Sequence, residues 1–273
     1  AQELGRDYGG SQFRVFPADF FVYGEQGLIN PLLRGNMKYR RDTLEPDFER
    51  HMDGTGHLWC KLNQKGRPPA GNYVFGADVS TGLGGAYTSN SALIGIDAQT
   101  MEQVFELATN IVPPSDFADL CIAYCKWFGD AHLAWEHGGP GVPFTTRILT
   151  QRYPNIYRRK VLWQNSAKQK KEVGWVTDSK TKPVMFDELS RSVRTGELKL
   201  RSADLMHECG QYIWHNNKIV HAQTVNTKEE GSKGDQHGDR VIAACVAVQA
   251  IRERPILTVA SETPGVSSRT MAG

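Results

Sequence analysis

The sequence predicts an α/β protein with a mixed β-sheet flanked by helices. Three apolar segments of strand length follow one another between residues 72 and 110, with turn-forming residues between them. Strands in that arrangement make an antiparallel meander. A further short apolar segment at 131–135 lies between two segments with apolar residues at helical spacing. Such an alternation of helix and strand adds a parallel strand to the sheet.

The individual elements follow from apolar periodicity and from turn and cap residues. Strands are predicted over 72–80, 87–97, 101–110 and 131–139, with helix as a competing interpretation for 101–110. Helices are predicted over 113–130, 140–153, 182–196, 202–215 and 238–254. The first of these helices opens with two prolines and Asp116, residues that suit a helix start. This order of elements is that of the ribonuclease-H-like (RuvC-like) fold.

The chain divides into three regions. Residues 1–70 are rich in turn formers and are predicted to be an N-terminal connecting segment, with a short helix over 43–51 and a strand over 57–63. The prolines and glycines that follow, up to residue 72, mark a loop or linker. Residues 71–254 are predicted to form the ribonuclease-H-like domain, and the polar residues 255–273 to form a flexible tail.

The composition is that of a soluble globular protein, with 40% hydrophobic and 23% charged residues among 273. No apolar run approaches the ~18–20 residues that cross a bilayer, and the first ten residues lack the features of a signal peptide. We therefore expect the protein to work in the cytoplasm, with no membrane partner. Of its five cysteines, Cys121 and Cys125 share one face of a predicted helix. A place in the core is favoured for them over a zinc site.

Three acidic residues stand at the ends of predicted elements. Asp78 lies at the end of the first strand, Glu136 at the end of the strand after the first long helix, and Asp239 at the start of the last helix. Hard cations such as Mg²⁺ and Mn²⁺ take carboxylate oxygens as ligands. Two such ions about 3.5–4 Å apart serve both the attacking and the leaving oxygen in phosphodiester hydrolysis. The three acids together therefore predict a site for two divalent ions.

Taken singly, these acids have ordinary explanations. An aspartate after a strand is usually a turn residue, and an aspartate that opens a helix is usually an N-cap. Glu136 is harder to explain in this way, since apolar HLAW leads to a glutamate followed at once by HGGPG. The joint placement of all three favours a functional site. The turn STGLGG after Asp78 could instead cradle a phosphate, but the P-loop pattern GxxxxGK[ST] occurs nowhere in the chain.

A basic region follows the second acid. Eight cations and no acid stand between residues 147 and 171, namely Arg147, Arg152, Arg158, Arg159, Lys160, Lys168, Lys170 and Lys171. Tyr153, Tyr157 and Trp163 are interleaved with them. Clustered cations bind a phosphate backbone by counterion release, but a solvated face without a partner would look much the same. Charge alone leaves both interpretations open.

Five motifs resemble the nuclease domain of the large terminase subunit of tailed phages, which cuts viral DNA during packaging. In order, they are YVFGADVSTGLGG, WEHGGPGVPF, YPNIYRR, GWVTDSKTKPVMFDEL and HGDRVIAACVA, and the match runs from about Gly71 to Ala250. The resemblance implies a ribonuclease-H-like fold and a two-metal endonuclease that uses Mg²⁺ or Mn²⁺ on double-stranded DNA. It also implies a portal protein and a small terminase subunit as partners, at the assembling capsid in the host cytoplasm.

The resemblance also implies roles for single residues. Asp78 of FGADVS, Glu136 of WEHGGPG and Asp239 of HGDRVIA resemble the metal ligands of the family. Large terminase subunits carry an N-terminal packaging ATPase as well. Because its motifs are missing here, residues 1–70 resemble the connection between motor and nuclease.

One departure from the family pattern concerns the start of the last helix. Many relatives have two adjacent acids there, where this chain has Gly238 followed by Asp239. We expect Asp235 or His237, just upstream, to supply the further ligand for the second ion.

Two other functions fit parts of the pattern. An actin-like or sugar-kinase-like ATPase starts from a related sheet and a similar turn, but it needs two copies of the fold and no repeat is visible. A DNA-binding or assembly module without catalysis would use the basic region alone. The endonuclease is the function that the sequence favours.

Overall fold

A seven-stranded mixed sheet forms the centre of the protein, for which a computed structural model describes residues 13–85, 88–162, 169–225 and 239–253. Its strands are β1 (Leu33–Tyr39), β2 (Pro46–Arg50), β3 (Gly56–Leu58), β4 (Tyr73–Asp78), β5 (Ser91–Asp97), β6 (Glu102–Thr109) and β7 (His132–Trp135). The strand order is β2-β1-β3-β6-β5-β4-β7. β4 and β7 pair in parallel, and the other neighbours pair antiparallel. The predicted mixed-sheet α/β class is therefore confirmed, including the β4–β6 meander.

Helices cover both faces of this sheet. They are α1 (Ala18–Glu25), α2 (Pro114–Trp127), α3 (Gly141–Thr150), α4 (Thr181–Arg194), α5 (Ala203–Cys209) and α6 (Asp239–Glu253). On β4, Val74 faces the core formed with α1, α4, α5 and α6, whereas Phe75 and Ala77 face the core formed with α2 and α3. This alternation is the period of a strand buried on both faces. Cys121 and Cys125 are fully buried on α2, which confirms their predicted place in the core.

Helix α6 is buried along most of its length and lies directly on β4 and β5. Gly76 of β4 allows the close approach. A Cβ atom at this position would overlap the carbonyl oxygen of Ala243 and lie 2.5 Å from the amide nitrogen of Ala247. The absence of a side chain at residue 76 therefore sets the distance between the sheet and the helix that begins with Asp239.

Two hairpins lie outside the large sheet. One pairs β8 (Arg158–Leu162) with β9 (Gln169–Val173), and the other pairs β10 (Tyr212–His215) with β11 (Lys218–His221). The turn between β10 and β11 has Asn216 and Asn217 at positive φ, 49° and 58°. Asparagine tolerates this conformation, which matches the twist of a two-residue hairpin.

Two predicted helices are wrong in part or in whole. Residues 43–51 contain strand β2, because Phe48 stacks on Trp127 at 4.4 Å and the backbone pairs with β1. The helix predicted over 202–215 ends at Cys209, and the residues from Tyr212 onward pair with β11 instead. The strand predicted over 57–63 is short, since β3 ends at Leu58. Residues 101–110 contain β6, so the competing helix is excluded there.

Strands β1 to β3 lie within residues 1–70 and continue the sheet beyond β6. The division of the chain into a connecting segment, a nuclease domain and a tail stays a prediction, and residues 255–273 lie outside the described part. None of the helices in the described ranges is both long and apolar enough to cross a membrane.

Candidate active site

Asp78 and Glu136 meet at one edge of the sheet. They follow Ala77 and Trp135, which are paired residues of the parallel strands β4 and β7. The Glu136 amide donates to the Ala77 carbonyl at 2.9 Å, and the Asp78 carboxyl shares a side-chain hydrogen bond with Glu136. Parallel strands end at the same edge, so this pairing by itself places the two carboxyls side by side.

The bend after Glu136 is fixed by hydrogen bonds on both sides. The His137 amide donates to the Trp175 carbonyl at 2.6 Å, and the Trp135 indole donates to the Thr145 hydroxyl at 2.7 Å. Gly139 has a φ of +45°, a conformation that favours glycine and lets the chain turn at once into α3. The glutamate is therefore held rigidly between a strand end and a tight turn.

Helix α6 brings Asp239 to the same place. Asp239 is only 3% exposed, and its Oδ2 accepts a hydrogen bond from the backbone amide of Asn90 at 2.5 Å. Asn90 directly precedes β5, in which Ala92 pairs with Asp78. The structure thus brings together all three acids that the sequence singles out, from two strand ends and one helix start.

Burial raises the pKa of two of these carboxyls. At Asp78 the charges of Glu136 and Asp239 add to the effect of burial. Burial raises the pKa of Asp239 to about 8, although the hydrogen bonds from Asn90 and the charge of Arg240 oppose it. Three carboxylates in a poorly solvated cluster repel one another when ionised, and a bound cation removes that penalty. An all-oxygen donor set of this kind fits Mg²⁺ or Mn²⁺.

The three acids line a single cleft of about 1050 Å³. Lys182 at the start of α4 and Lys218 of β11 also line it, as does the ring of Tyr212. The Lys182 ammonium lies 5.5 Å from the centre of the Tyr212 ring. Burial lowers the pKa of Lys182, while the charges of Glu136 and Asp78 oppose that effect. The sequence places Lys182 in a predicted helix, and only the fold shows that it faces the acids.

Positive φ angles and a backbone hydrogen bond determine the conformation of the glycine-rich turn after Asp78. Gly82 and Gly84 have φ values of +67° and +73°, and the Gly84 amide donates to the Asn110 carbonyl at 2.7 Å. Ser80 and Thr81 of this turn line the cleft beside Asp78. The turn therefore shapes the wall of the cleft next to the carboxylates.

A second set of possible metal ligands is already neutralised by the protein. Among the residues that the structure describes, His57, Glu106 and Asp204 have ligand atoms within 4.8 Å of one another. Arg240 Nε lies 2.8 Å from Glu106, and its Nη2 lies 3.8 Å from Asp204. A guanidinium thus supplies the positive charge that these acids need, and we assign no metal to them.

The basic region divides into paired and exposed cations. Arg147 forms a two-pronged ion pair with Asp119 at 2.8 and 2.7 Å, and Arg159 pairs with Glu172. Three other cations have exposed side chains, namely Arg152, Arg158 and Lys171. The aromatic residues Tyr153 and Tyr157 are buried. Trp163, Lys168 and the side chains of Lys160 and Lys170 lie outside the described part of the chain.

The further ligands expected upstream of Asp239 also lie outside the described residues. Asp235, His237 and Gly238 belong to the stretch 226–238, which the structure does not describe. Their contribution to a second ion stays a prediction.

The order of the sheet and the helices on both of its faces are those of a ribonuclease-H-like fold. Three solved structures of phage large terminase nucleases share it. The magnesium-bound large terminase nuclease from thermophilic phage G20c matches with a TM-score of 0.57 and 15% identity, over 88% of this chain and 98% of that chain. Its cobalt-bound form matches at 0.55 and 16%, over 84% and 96%.

The third structure is the large terminase nuclease domain of Thermus phage P74-26, with a TM-score of 0.51 and 14% identity over 84% of this chain and 93% of that chain. No protein-family model and no curated protein sequence matches the chain. The resemblance to large terminase nuclease domains that the motifs indicate is therefore confirmed at the level of the fold.

We expect the Asp239 carboxyl to lower the stability of the metal-free protein as the pH rises from about 4 to about 8. An unfolded aspartate has a pKa of about 3.9, whereas burial holds the pKa of Asp239 at about 8 in the folded chain. The folded state therefore binds the extra proton, and its stabilising contribution is lost as the pH rises through the folded pKa. Thermal unfolding in EDTA across this range measures the slope. Asp239→Asn should flatten it, and equal slopes for both proteins would contradict the burial of this carboxyl.

Proposed function

We propose that the chain is a metal-dependent endonuclease that cuts double-stranded viral DNA during genome packaging, by two-metal-ion hydrolysis of phosphodiester bonds. The observation that carries this proposal is the meeting of Asp78, Glu136 and Asp239 in one cleft. The fold supports it, since the chain shares the fold of phage large terminase nucleases, including structures with bound magnesium, cobalt and zinc. By the same likeness, the portal protein and the small terminase subunit are the expected partners, at the capsid in the host cytoplasm.

The residues of the cleft divide the work between them. Asp78, Glu136 and Asp239 would hold Mg²⁺ or Mn²⁺, with Asp235 or His237 as a further ligand. Bound there, the ions would supply Lewis-acid activation of a water molecule and positive charge for the scissile phosphate. The backbone amide of Asn90 fixes the orientation of the Asp239 carboxyl by a hydrogen bond. Lys182 adds a positive charge to the wall of the cleft. This charge offsets part of the negative charge of the carboxylates and so favours the binding of an anionic substrate.

The number of ions in the proposal comes from the chemistry of the reaction. Two ions about 3.5–4 Å apart serve both the attacking and the leaving oxygen of a phosphodiester.

The test is cleavage of supercoiled plasmid DNA by the purified chain. We expect nicked and linear products with Mn²⁺ or Mg²⁺ and intact plasmid in EDTA. Calorimetric titration with Mn²⁺ in the absence of DNA should show binding. A chain that is folded but neither binds Mn²⁺ nor cuts DNA with either ion would overturn the proposal.

A DNA-binding module without catalysis is the second candidate, and the exposed cations of the β8–β9 region favour it. Such a module would bind DNA in a salt-dependent way without cutting it in Mn²⁺. The actin-like ATPase finds no support, because the described ranges contain a single large sheet and that class needs two copies of the fold.

Replacing Arg158 and Lys171 together by alanine should weaken binding to double-stranded DNA about equally for all sequences. Each lost phosphate contact should lower the slope of log affinity against log salt by about one. Fluorescence anisotropy in EDTA, which prevents cutting, measures both quantities. Arg147→Ala is the matched control, because Asp119 already holds this arginine and its loss should affect stability more than the salt slope. If the double variant binds DNA as the wild type does, these cations form only a solvated face.

A further inference from the structure

Arg240, the second residue of α6, joins three elements beside the candidate active site. Its side chain is 19% exposed, and its Nε lies 2.8 Å from Glu106 of β6. Its Nη1 donates to Glu208 of α5. The Arg240 backbone amide also donates to Glu208, at 3.0 Å. Both the backbone and the side chain of the residue after Asp239 are therefore held.

Glu106 makes this attachment rigid. Its side chain is 2% exposed and also accepts a hydrogen bond from Gln103 at 3.2 Å. Gln103 in turn accepts hydrogen bonds from the backbone amides of Arg201 and Ser202, just before α5. The guanidinium thus binds to acids that are themselves fixed to the sheet and to α5. A planar fork with several donors suits such double pairing better than a lysine ammonium does.

Stability alone is a poor explanation for this cluster. Removing charges from water costs about as much as a buried ion pair returns, so such pairs add little net stability. The far end of the same helix offers a comparison. There Arg252 pairs with Glu188 and Glu197, each at 2.6 Å, but its side chain is 32% exposed and lies far along the helix from Asp239. Of these two ion-pair clusters on α6, the more buried one adjoins the candidate metal ligand.

We propose that Arg240 is a positioning residue that holds the first turn of α6 so that the Asp239 carboxylate faces Asp78 and Glu136. This inference rests on the proposed metal-dependent nuclease. Asn90 holds the carboxylate itself, and the Glu106–Arg240–Glu208 cluster holds the backbone that carries it. Ligand geometry within a few tenths of an ångström decides metal affinity, so loosening this turn should weaken ion binding without removing a ligand.

The direction in which Mn²⁺ affinity changes separates a positioning role of Arg240 from an electrostatic one. Arg240→Gln removes a positive charge near Asp239, and charge alone would then favour a bound cation. Positioning predicts the opposite. We expect Mn²⁺ affinity, measured by calorimetry without DNA, to fall about 10- to 100-fold. Plasmid cleavage should need correspondingly more Mn²⁺, and saturating Mn²⁺ should restore much of the rate.

Arg252→Gln is the matched control, since it breaks a double ion pair on the same helix. It should bind Mn²⁺ as the wild type does, even if both variants lower the melting temperature equally. Arg240→Lys keeps the charge but loses the fork, and it should give an intermediate affinity. If Arg240→Gln does not fold, Arg240→Lys carries the test alone, because the charge is unchanged, only the fork is lost, and Mn²⁺ affinity should still fall below that of the wild type.

Wild-type or tighter Mn²⁺ affinity in folded Arg240→Gln, or in Arg240→Lys if Arg240→Gln does not fold, would overturn the inference and leave the proposed nuclease intact. A wild-type chain that neither binds Mn²⁺ nor cuts DNA would remove the proposed function, and the role of Arg240 with it. The wild-type titration therefore distinguishes the two failures.

Discussion

Asp78→Asn should abolish metal-dependent cleavage of plasmid DNA while the protein stays folded. The charges of Glu136 and Asp239 both act on the Asp78 carboxyl, so all three lie close together. The amide oxygen of asparagine is a much weaker ligand for Mg²⁺ or Mn²⁺ than a carboxylate. Metal ions contribute several kcal/mol of transition-state stabilisation, which corresponds to a loss of about a thousandfold or more in rate. Gel analysis of supercoiled plasmid incubated with Mn²⁺ measures this loss.

The same variant should be more stable than the wild type when metal is absent. Burial and two neighbouring acids penalise the ionised Asp78 carboxyl, and the amide carries no charge. At about pH 8 the Asp78 carboxyl of the unfolded chain is ionised, so its raised pKa in the folded wild type costs stability. Thermal unfolding in EDTA at this pH should therefore show a higher melting temperature for Asp78→Asn. Asp187→Asn, an exposed aspartate on α4, is the control and should change neither cleavage nor stability. Cutting by Asp78→Asn at the wild-type rate would remove Asp78 from the proposed site.

Gly76→Ala should cause a large loss of stability for so small a change. The new methyl group would overlap the backbone of α6 at Ala243 and Ala247, and neither backbone can yield without moving the helix off the sheet. Overpacking of this kind costs typically about 1–3 kcal/mol, and a clash with backbone lies at the upper end. Urea unfolding monitored by circular dichroism measures the change in the free energy of unfolding.

The Gly76 variant should also bind Mn²⁺ more weakly, because a displaced α6 carries Asp239 away from Asp78. Gly138→Ala is the control for stability. A methyl group there meets nothing within 4 Å, and the change should stay within about 0.5 kcal/mol. Equal stability of the Gly76 and Gly138 variants would show that α6 does not approach β4 as closely as described.

Local periodicity explains which elements the sequence predicts well. Strands β4 and β5 are apolar runs between turn formers, and helices α2 and α3 have apolar residues at helical spacing, so each can be inferred without its neighbours. The β6 segment fits a strand or a helix, and its pairing with β5 decides between them. Strands β1 and β2, with the sequences LRGNMKY and PDFER, alternate only weakly and depend on pairing across the sheet. The β10 strand escapes prediction because YIWH follows a real helix, and only the Asn216–Asn217 turn marks the hairpin.

The residues of the candidate site also divide into those that the sequence predicts and those that only the fold brings together. Asp78, Glu136 and Asp239 stand at element ends, which a sequence displays. The partners of Arg240 come from β6 and α5, and no short motif connects Glu106 with Glu208. A run of cations in the sequence overstates the number of unpaired positive charges for a related reason. Arg147 and Arg159 count as free cations in the sequence, but their acidic partners lie outside the run, at Asp119 and Glu172.

The way α6 docks on β4 has a consequence for the order in which the protein gains its activity. Two of the acids belong to strands in the middle of the chain, whereas the third comes from the last described helix. A ribosome delivers that helix after all the strands of the sheet, and contacts between such distant segments form late in folding. A chain that lacks α6 would lack both the third acid and the apolar core that this helix forms over β4 and β5, so it could not carry out the proposed cleavage. The proposed cleavage chemistry becomes available only with the final docking step.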